Sequence, residues 1–187
     1  INAPYRAVVG DFDGTGLDDV VWHGTGGTPD AIWWSRPGGV DPQSVAINAS
    51  YVPFVGDFDG NGLDDVFWYA TGPGSDAVWY FEPGGVMRSV RVTQDLVTGI
   101  PIVGDFDGDH RDDIFWYAPG AGDDAFWWSA GRSWTVRELA VNGFYIPAAV
   151  QDTVAGRDEI VFIQPGSTSY RWEIDSARQI TSRILPR

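Results

Sequence analysis

The chain has 187 residues and a formal net charge of −14, so its surface repels phosphate backbones and no nucleic-acid partner is expected. Hydrophobic residues make up 43% and charged residues 20%, which excludes a disordered chain; the absence of cysteine excludes disulfides and thiolate metal sites. No apolar run approaches the ~20 residues of a membrane helix, so no membrane insertion is expected, and the chain reads as a soluble, mature segment without signal peptide or lipidation motif.

Twenty-four glycines and 12 prolines call for tight turns and many short strands. The string Val-Gly-Asp-Phe-Asp-Gly recurs at Val9, Val55 and Val103, and an eroded copy follows near Asp152. Lead-in pairs Asn2/Tyr5, Asn48/Tyr51 and Asn142/Tyr145 share one spacing, so the units run over about 2–47, 48–97, 98–141 and 142–187. In chain order the first unit predicts strands at 6–9, 20–23, 31–35 and 44–47. The second predicts 52–55, 66–69, 77–81 and 89–93, and the third 100–103, 114–117, 125–129 and 135–139. In the fourth the readable strands are 160–163, 170–174 and 179–184. Turns fall at Pro37 and Pro83. Nothing holds a 3.6-residue apolar period beyond two turns, so essentially no helix is expected.

A repeat of this length with four strands per unit is the pattern of β-propeller blades. Runs such as Val20-Val21-Trp22 and Ala125-Phe126-Trp127-Trp128 are apolar on both faces, as a blade sandwiched between neighbours requires. The expected fold is therefore all-β: one β-propeller domain over 1–187, made of four four-stranded antiparallel blades. It closes as a single-chain ring, which the adapted fourth unit favours, or forms half of a larger ring in a homodimer.

Thirteen of the 26 acidic residues crowd into three nine-residue loops. Counting each loop from its first aspartate, positions 1, 3 and 9 are Asp11, Asp13 and Asp19; Asp57, Asp59 and Asp65; and Asp105, Asp107 and Asp113. Position 5 is Thr15, Asn61 or Asp109, each an oxygen donor, and position 7 (Leu17, Leu63, Arg111) offers its backbone carbonyl. Carboxylates this dense repel one another unless a cation sits among them, and an all-oxygen donor set suits Ca2+ rather than zinc. Three Ca2+ sites are expected. Position 8 (Asp18, Asp64, Asp112) should point away from the ion and bond backbone amides in the loop. The fourth loop, with Asp152 and Asp158, reads as one residue shorter and without an ion, with Arg157 taking some of its space.

The strings Gly10–Val20, Gly56–Val66 and Gly104–Ile114 resemble the FG-GAP or VCBS repeats. That resemblance covers three repeats clearly and the fourth weakly. It implies calcium-binding propeller blades of the kind found in integrin α-chains and in secreted proteins, some of them lectins, with the ion on the loop between the first two strands. Those integrin and fungal relatives have seven blades where this chain has four units.

Third-strand aromatics Trp33, Trp79 and Trp127 are candidate ligand-binding residues, since exposed tryptophan stacks on sugar rings; the alternative is that they pack blade against blade. Asp30, Asp76, Asp124, Arg36 and Glu82 are polar neighbours that could orient a sugar. Arg171 stands where the fourth unit would carry the equivalent tryptophan. The two histidines, His23 and His110, read as repeat drift, and without a nucleophile motif or phosphate loop no enzyme activity and no catalytic residue is expected. The expected function is a secreted, calcium-binding, carbohydrate-binding module with weak repeated sites. The alternative is a protein-interaction, adhesion or structural module of a larger extracellular protein, so the partner is a glycan or an extracellular protein.

Overall fold

Short β-branched and aromatic runs broken by Gly, Pro and Asp leave no segment long enough for a packed helix. A computed structural model describes residues 4–25, 27–70, 74–94 and 99–186, and these hold sixteen strands and no helix. They form four antiparallel four-stranded sheets, each with its strands in chain order. The first contains β1 (Tyr5–Gly10), β2 (Asp19–Gly24), β3 (Asp30–Arg36) and β4 (Gly39–Val45). The second contains β5 (Tyr51–Gly56), β6 (Asp65–Ala70), β7 (Ala77–Glu82) and β8 (Val86–Arg91). The third contains β9 (Ile100–Gly104), β10 (Asp113–Tyr117), β11 (Asp124–Ser129) and β12 (Trp134–Leu139). The fourth contains β13 (Ile146–Asp152), β14 (Arg157–Ile163), β15 (Tyr170–Ile174) and β16 (Ile180–Ile184).

The sixteen strands match the expected repeat of four, with three differences. β4 starts at Gly39 rather than Ser44, because Pro37-Gly38, with Gly38 at φ 89°, makes a two-residue turn that pairs Arg36 with Gly39. β8 starts at Val86 rather than Ser89 for a related reason: Gly84 and Gly85 both have positive φ and bring Val86 opposite Glu82. β13 has no counterpart in the sequence reading, since Pro147-Ala148-Ala149 lacks the bulky run that marks the other first strands. Burial on both faces holds for β10 and β11, every residue of which is buried, and nearly so for β6 and β7. In the first sheet β2 and β3 instead alternate buried and half-buried residues, so there one face of each is only partly covered.

The chain divides into two compact units, Ile1–Asp57 with Asn61–Thr93, and Phe58–Gly60 with Gln94–Arg187. In the first, Val8, Phe12, Val21, Ile32 and Trp34 pack with Val66, Trp68, Trp79 and Phe81 in one core. In the second, Ile102, Phe106, Phe115, Tyr117, Phe126 and Trp128 pack with Ile160, Phe162 and Ile174. The phenylalanines of the acidic strings point inward: Phe12 belongs to the first core, Phe106 to the second, and Phe58 is likewise 0% exposed. Each such burial contributes about 2–3 kcal/mol. The acidic loops are thereby anchored from below.

Candidate metal centres

Each loop is first folded by its own position-1 carboxylate. Asp11 accepts hydrogen bonds from the amides of Gly14 (2.9 Å), Thr15 (3.1 Å) and Gly16 (2.8 Å). Asp105 does the same for Gly108, Asp109 and His110 at 2.8–3.0 Å, and Asp57 for Asn61 and Gly62. The wrap needs a left-handed residue at position 6: Gly16 and Gly62 supply it at φ 77° and 84°, and His110 adopts it at φ 66°. Position 9 ties the loop to the third strand. Asp19 accepts from Ser35 N at 2.7 Å, Asp65 from Phe81 N at 2.9 Å and Asp113 from Ser129 N at 2.8 Å.

These bonds bring carboxylates together. Ligand oxygens of Asp11, Asp13 and Asp19 lie within 4.8 Å of one another, as do those of Asp57, Asp59 and Asp65, and those of Asp105, Asp107 and Asp109. In the third loop it is position 5 rather than Asp113 that completes the group. Burial, reinforced by Asp107 and Asp109, pushes the Asp113 carboxyl up to about 8. Burial raises Asp19 as well, against the Ser35 amide. At Asp13 burial opposes ionisation, but hydrogen bonds from Thr15 and Arg36 outweigh it and hold the carboxyl below its usual range.

Arginines partly balance the charge at position 3. Arg36 Nη1 lies 2.5 Å from Asp13 Oδ2, Arg178 Nε 2.7 Å from Asp107 Oδ2, and Arg132 Nη2 3.3 Å from Asp59 Oδ2. Asp59 Oδ1 is buried and has no hydrogen-bond partner among the described residues. At position 5, Asn61 Nδ2 donates to Phe81 O at 2.7 Å, and the Asp109 carboxylate is engaged by the Arg111 guanidinium. At position 7, Leu17 is 42% exposed while Leu63 is buried, and a Cβ on Gly14 would meet the Leu63 side chain at 2.9 Å.

Of the three position-8 residues expected to bond backbone amides, Asp64 does so, but with another loop. Asp64 accepts from Asp11 N at 2.9 Å, and its own N–H donates to Asp11 O at 3.2 Å. Asp158 repeats this with Asp105, at 3.1 and 2.7 Å. The match places Asp158 at position 8, which corrects the register of the fourth loop. That loop runs from Gln151 to Glu159 at full length, and its odd positions carry a single carboxylate, Glu159, paired with Arg171 at 3.3 Å. Arg157 stands at position 7, and a Cβ on Gly108 would lie 3.6 Å from its stem. The same register places Trp172, not Arg171, in line with Trp33, Trp79 and Trp127, since Ile160 pairs with Trp172 as Val20 pairs with Trp33.

Trp127 is 0% exposed, edge-on to Trp116 at 5.4 Å, and Trp79 is 7% exposed, against Trp68 at 4.8 Å; both rings are core. Trp33 is half-buried. Asp30 and Asp124 are backbone staples: Asp124 accepts from Ala118 N at 2.8 Å and Val141 N at 2.6 Å, and Asp30 from Gly24 N and Ile47 N. Asp76 accepts from Ala70 N at 2.7 Å, and Glu82 pairs with Arg88. Arg178, Glu159 and the partners of position 8 escaped the sequence reading. A correct alignment of the fourth loop signals Glu159; nothing local signals the others. No protein-family model and no curated protein matches this chain.

Proposed function

We propose that the protein is a non-catalytic, Ca2+-stabilised binding module of the β-propeller class, related to the FG-GAP/VCBS repeats and working outside the cell. The observation that carries this reading is the recurrence of an all-oxygen carboxylate cluster in three loops, at positions 1, 3 and 9 in two of them and 1, 3 and 5 in the third. In the second loop a buried Asp59 oxygen also lacks a donor among the described residues. Hard oxygen donors in a loop wrapped by its own amides suit Ca2+. Burial, with a smaller contribution from neighbouring aspartates, raises Asp19 and Asp113, and a bound cation would offset both. At free Ca2+ one hundred times the dissociation constant, each site adds about 2.7 kcal/mol by linkage. The ligand of such a module is a glycan or an extracellular protein, and of the three candidate rings only Trp33 keeps part of its surface exposed.

Calorimetric titration with Ca2+ should give three ions per chain, chelation should lower the melting temperature, and Asp59→Ala should remove one ion and leave two. No binding, or a melting temperature unmoved by chelator, overturns the reading. A protein-partner reading has its own support in the fourth sheet and its approaches, where Phe144 (73% exposed), Ile146 (60%), Val154 (96%) and Ile184 (69%) face solvent. Light scattering at twice the 20.5 kDa chain mass would identify a second copy as that partner.

A further inference from the structure

Three of the four sheets place apolar or aromatic residues at one cross-strand pair far from the acidic loops: Val52 with Tyr69, Ile100 with Tyr117, and Ile146 with Ile163. In the first sheet the same pair is Arg6 with His23. The substitution coincides with a cavity of about 460 Å³, within the 300–1,000 Å³ range of small-molecule sites, lined by Arg6, His23, Thr25, Thr28, Asn48 and Tyr51 among others. Among the described residues no acidic one lines it, on a chain of net charge −14.

Each polar group has a defined capacity. Asp30 Oδ1 accepts from Gly24 N at 2.9 Å and sits 3.0 Å from His23 Nδ1, so the buried imidazole donates from Nδ1 and its orientation is fixed. The ring is further held edge-on to Trp68 at 5.6 Å. Arg6 is exposed, and its guanidinium makes no ion pair or hydrogen bond with any described residue, which leaves its planar fork of donors available. The hydroxyls of Thr25 and Thr28 already donate, to Pro4 O and Thr25 O, and therefore face a ligand only as acceptors. An unpaired cation beside hydroxyl acceptors and an aromatic wall complements one carboxylate on a polyhydroxylated ring.

We infer that this cavity binds a small carboxylate-bearing ligand of the sugar-acid class, with Arg6 taking the carboxylate and Thr25 and Thr28 accepting from the hydroxyls. The site is independent of the cation reading. Its floor, at Arg6 and His23, lies four residue pairs along β1 and β2 from the Gly10–Asp19 pair at the acidic loop, about 13 Å by strand rise.

Titration calorimetry of the full chain with glucuronate and with glucose tests it. Glucuronate should bind at least about tenfold more tightly than glucose. Arg6→Val, which installs the residue found at position 52, should abolish that preference. His23→Tyr, which installs the residue of positions 69 and 117, should weaken glucuronate several-fold. Equal binding of the two sugars, no binding of glucuronate, or a preference that survives Arg6→Val overturns the inference. The wild-type comparison decides the matter even if a variant fails to fold. Ca2+ binding with no response to glucuronate would sink this site alone, and the reverse result would sink only the cation reading.

Discussion

The two compact units make the same loop-to-loop clasp and finish it differently. In the first, Asp64 holds the Asp11 amide; in the second, Asp158 holds the Asp105 amide. Each clasp lies against a glycine. A Cβ on Gly10 would meet Asp64 Oδ2 at 2.7 Å, and one on Gly104 would meet Asp158 Oδ2 at 2.6 Å. The turn after the third strand then diverges. Gly85 and Arg178 occupy one register position, both with positive φ (78° and 61°), and both against the tryptophan of the preceding sheet. Gly85 leaves the Trp34 ring where its Cβ would be, 2.9 Å away, whereas Arg178 lays its guanidinium 4.9 Å from the Trp128 centroid and bonds Asp107. A left-handed arginine costs about 1–2 kcal/mol. It is held there by the Asp175 carbonyl, by Arg137 donating to its own carbonyl, by Asp107 and by the ring. The lesson is that backbone closure is the shared requirement, and charge compensation is added where space permits.

The largest expected effect comes from filling the clasps. Gly10→Ala and Gly104→Ala should each cost about 2–4 kcal/mol, because carboxylate and Cβ cannot share the space. Urea denaturation should show equal losses, and a tolerated alanine in either unit breaks the equivalence. Asp64→Ala and Asp158→Ala should follow at about 1–3 kcal/mol, each orphaning a part-buried amide.

The turn is where the units should part. Gly85→Ala should cost about 2 kcal/mol through the Trp34 contact and the positive φ, while Arg178→Gly should stay within about 1 kcal/mol of wild type, strain relief offsetting the lost ion pair. Comparable thermal melts for both variants would show that the tryptophan contact does not distinguish the units.

A second pair, Asp76 and Asp124, separates by pH. Burial raises both carboxyls, but Asp124 holds an amide on each oxygen while Asp76 Oδ2 has no partner among the described residues. A raised folded-state pKa means that the group's stabilising contribution is full below the usual carboxylate range and is lost as pH rises through the folded value. Asp76→Asn should therefore be more stable than wild type at neutral pH, with the gain closing on acidification. Asp124→Asn should lose about 1–3 kcal/mol at neutral pH, since its amide nitrogen would face an N–H. The smallest effect is expected at His110→Gly, a gain of about 0.5–1 kcal/mol from relieving φ 66° where the other loops carry glycine.

The repeat made the four sheets and the three acidic clusters legible, because Asp and Gly at fixed spacing encode loops that fold on themselves. What stayed hidden depends on neighbours. Nothing local marks position 8 as the partner of a loop 53 residues away. For Trp79 and Trp127 the sequence leaves ligand-binding and packed rings both open, because strand alternation does not say which face another sheet covers. The fourth loop was misaligned because Asp152 mimics a position-1 aspartate, capping Val154 and Ala155, while Gln151 holds that place. His23 reads as drift until its cross-strand pairing with Arg6 puts both at one cavity.

Gly10 and Gly104 make the sequence repeat and the structural repeat different objects. The empty space on each glycine is occupied by an aspartate encoded about one repeat later, so within these pairs neither repeat is a self-contained module. A repeat inherited by duplication fits beside its parent at once, because it brings both the space and the group that fills it. A repeat transplanted alone does not, and drift at either position must be answered in the neighbour. The fourth repeat shows how far that tolerance reaches: it has lost most of its odd-position carboxylates, yet it retains Asp158, the residue its neighbour uses.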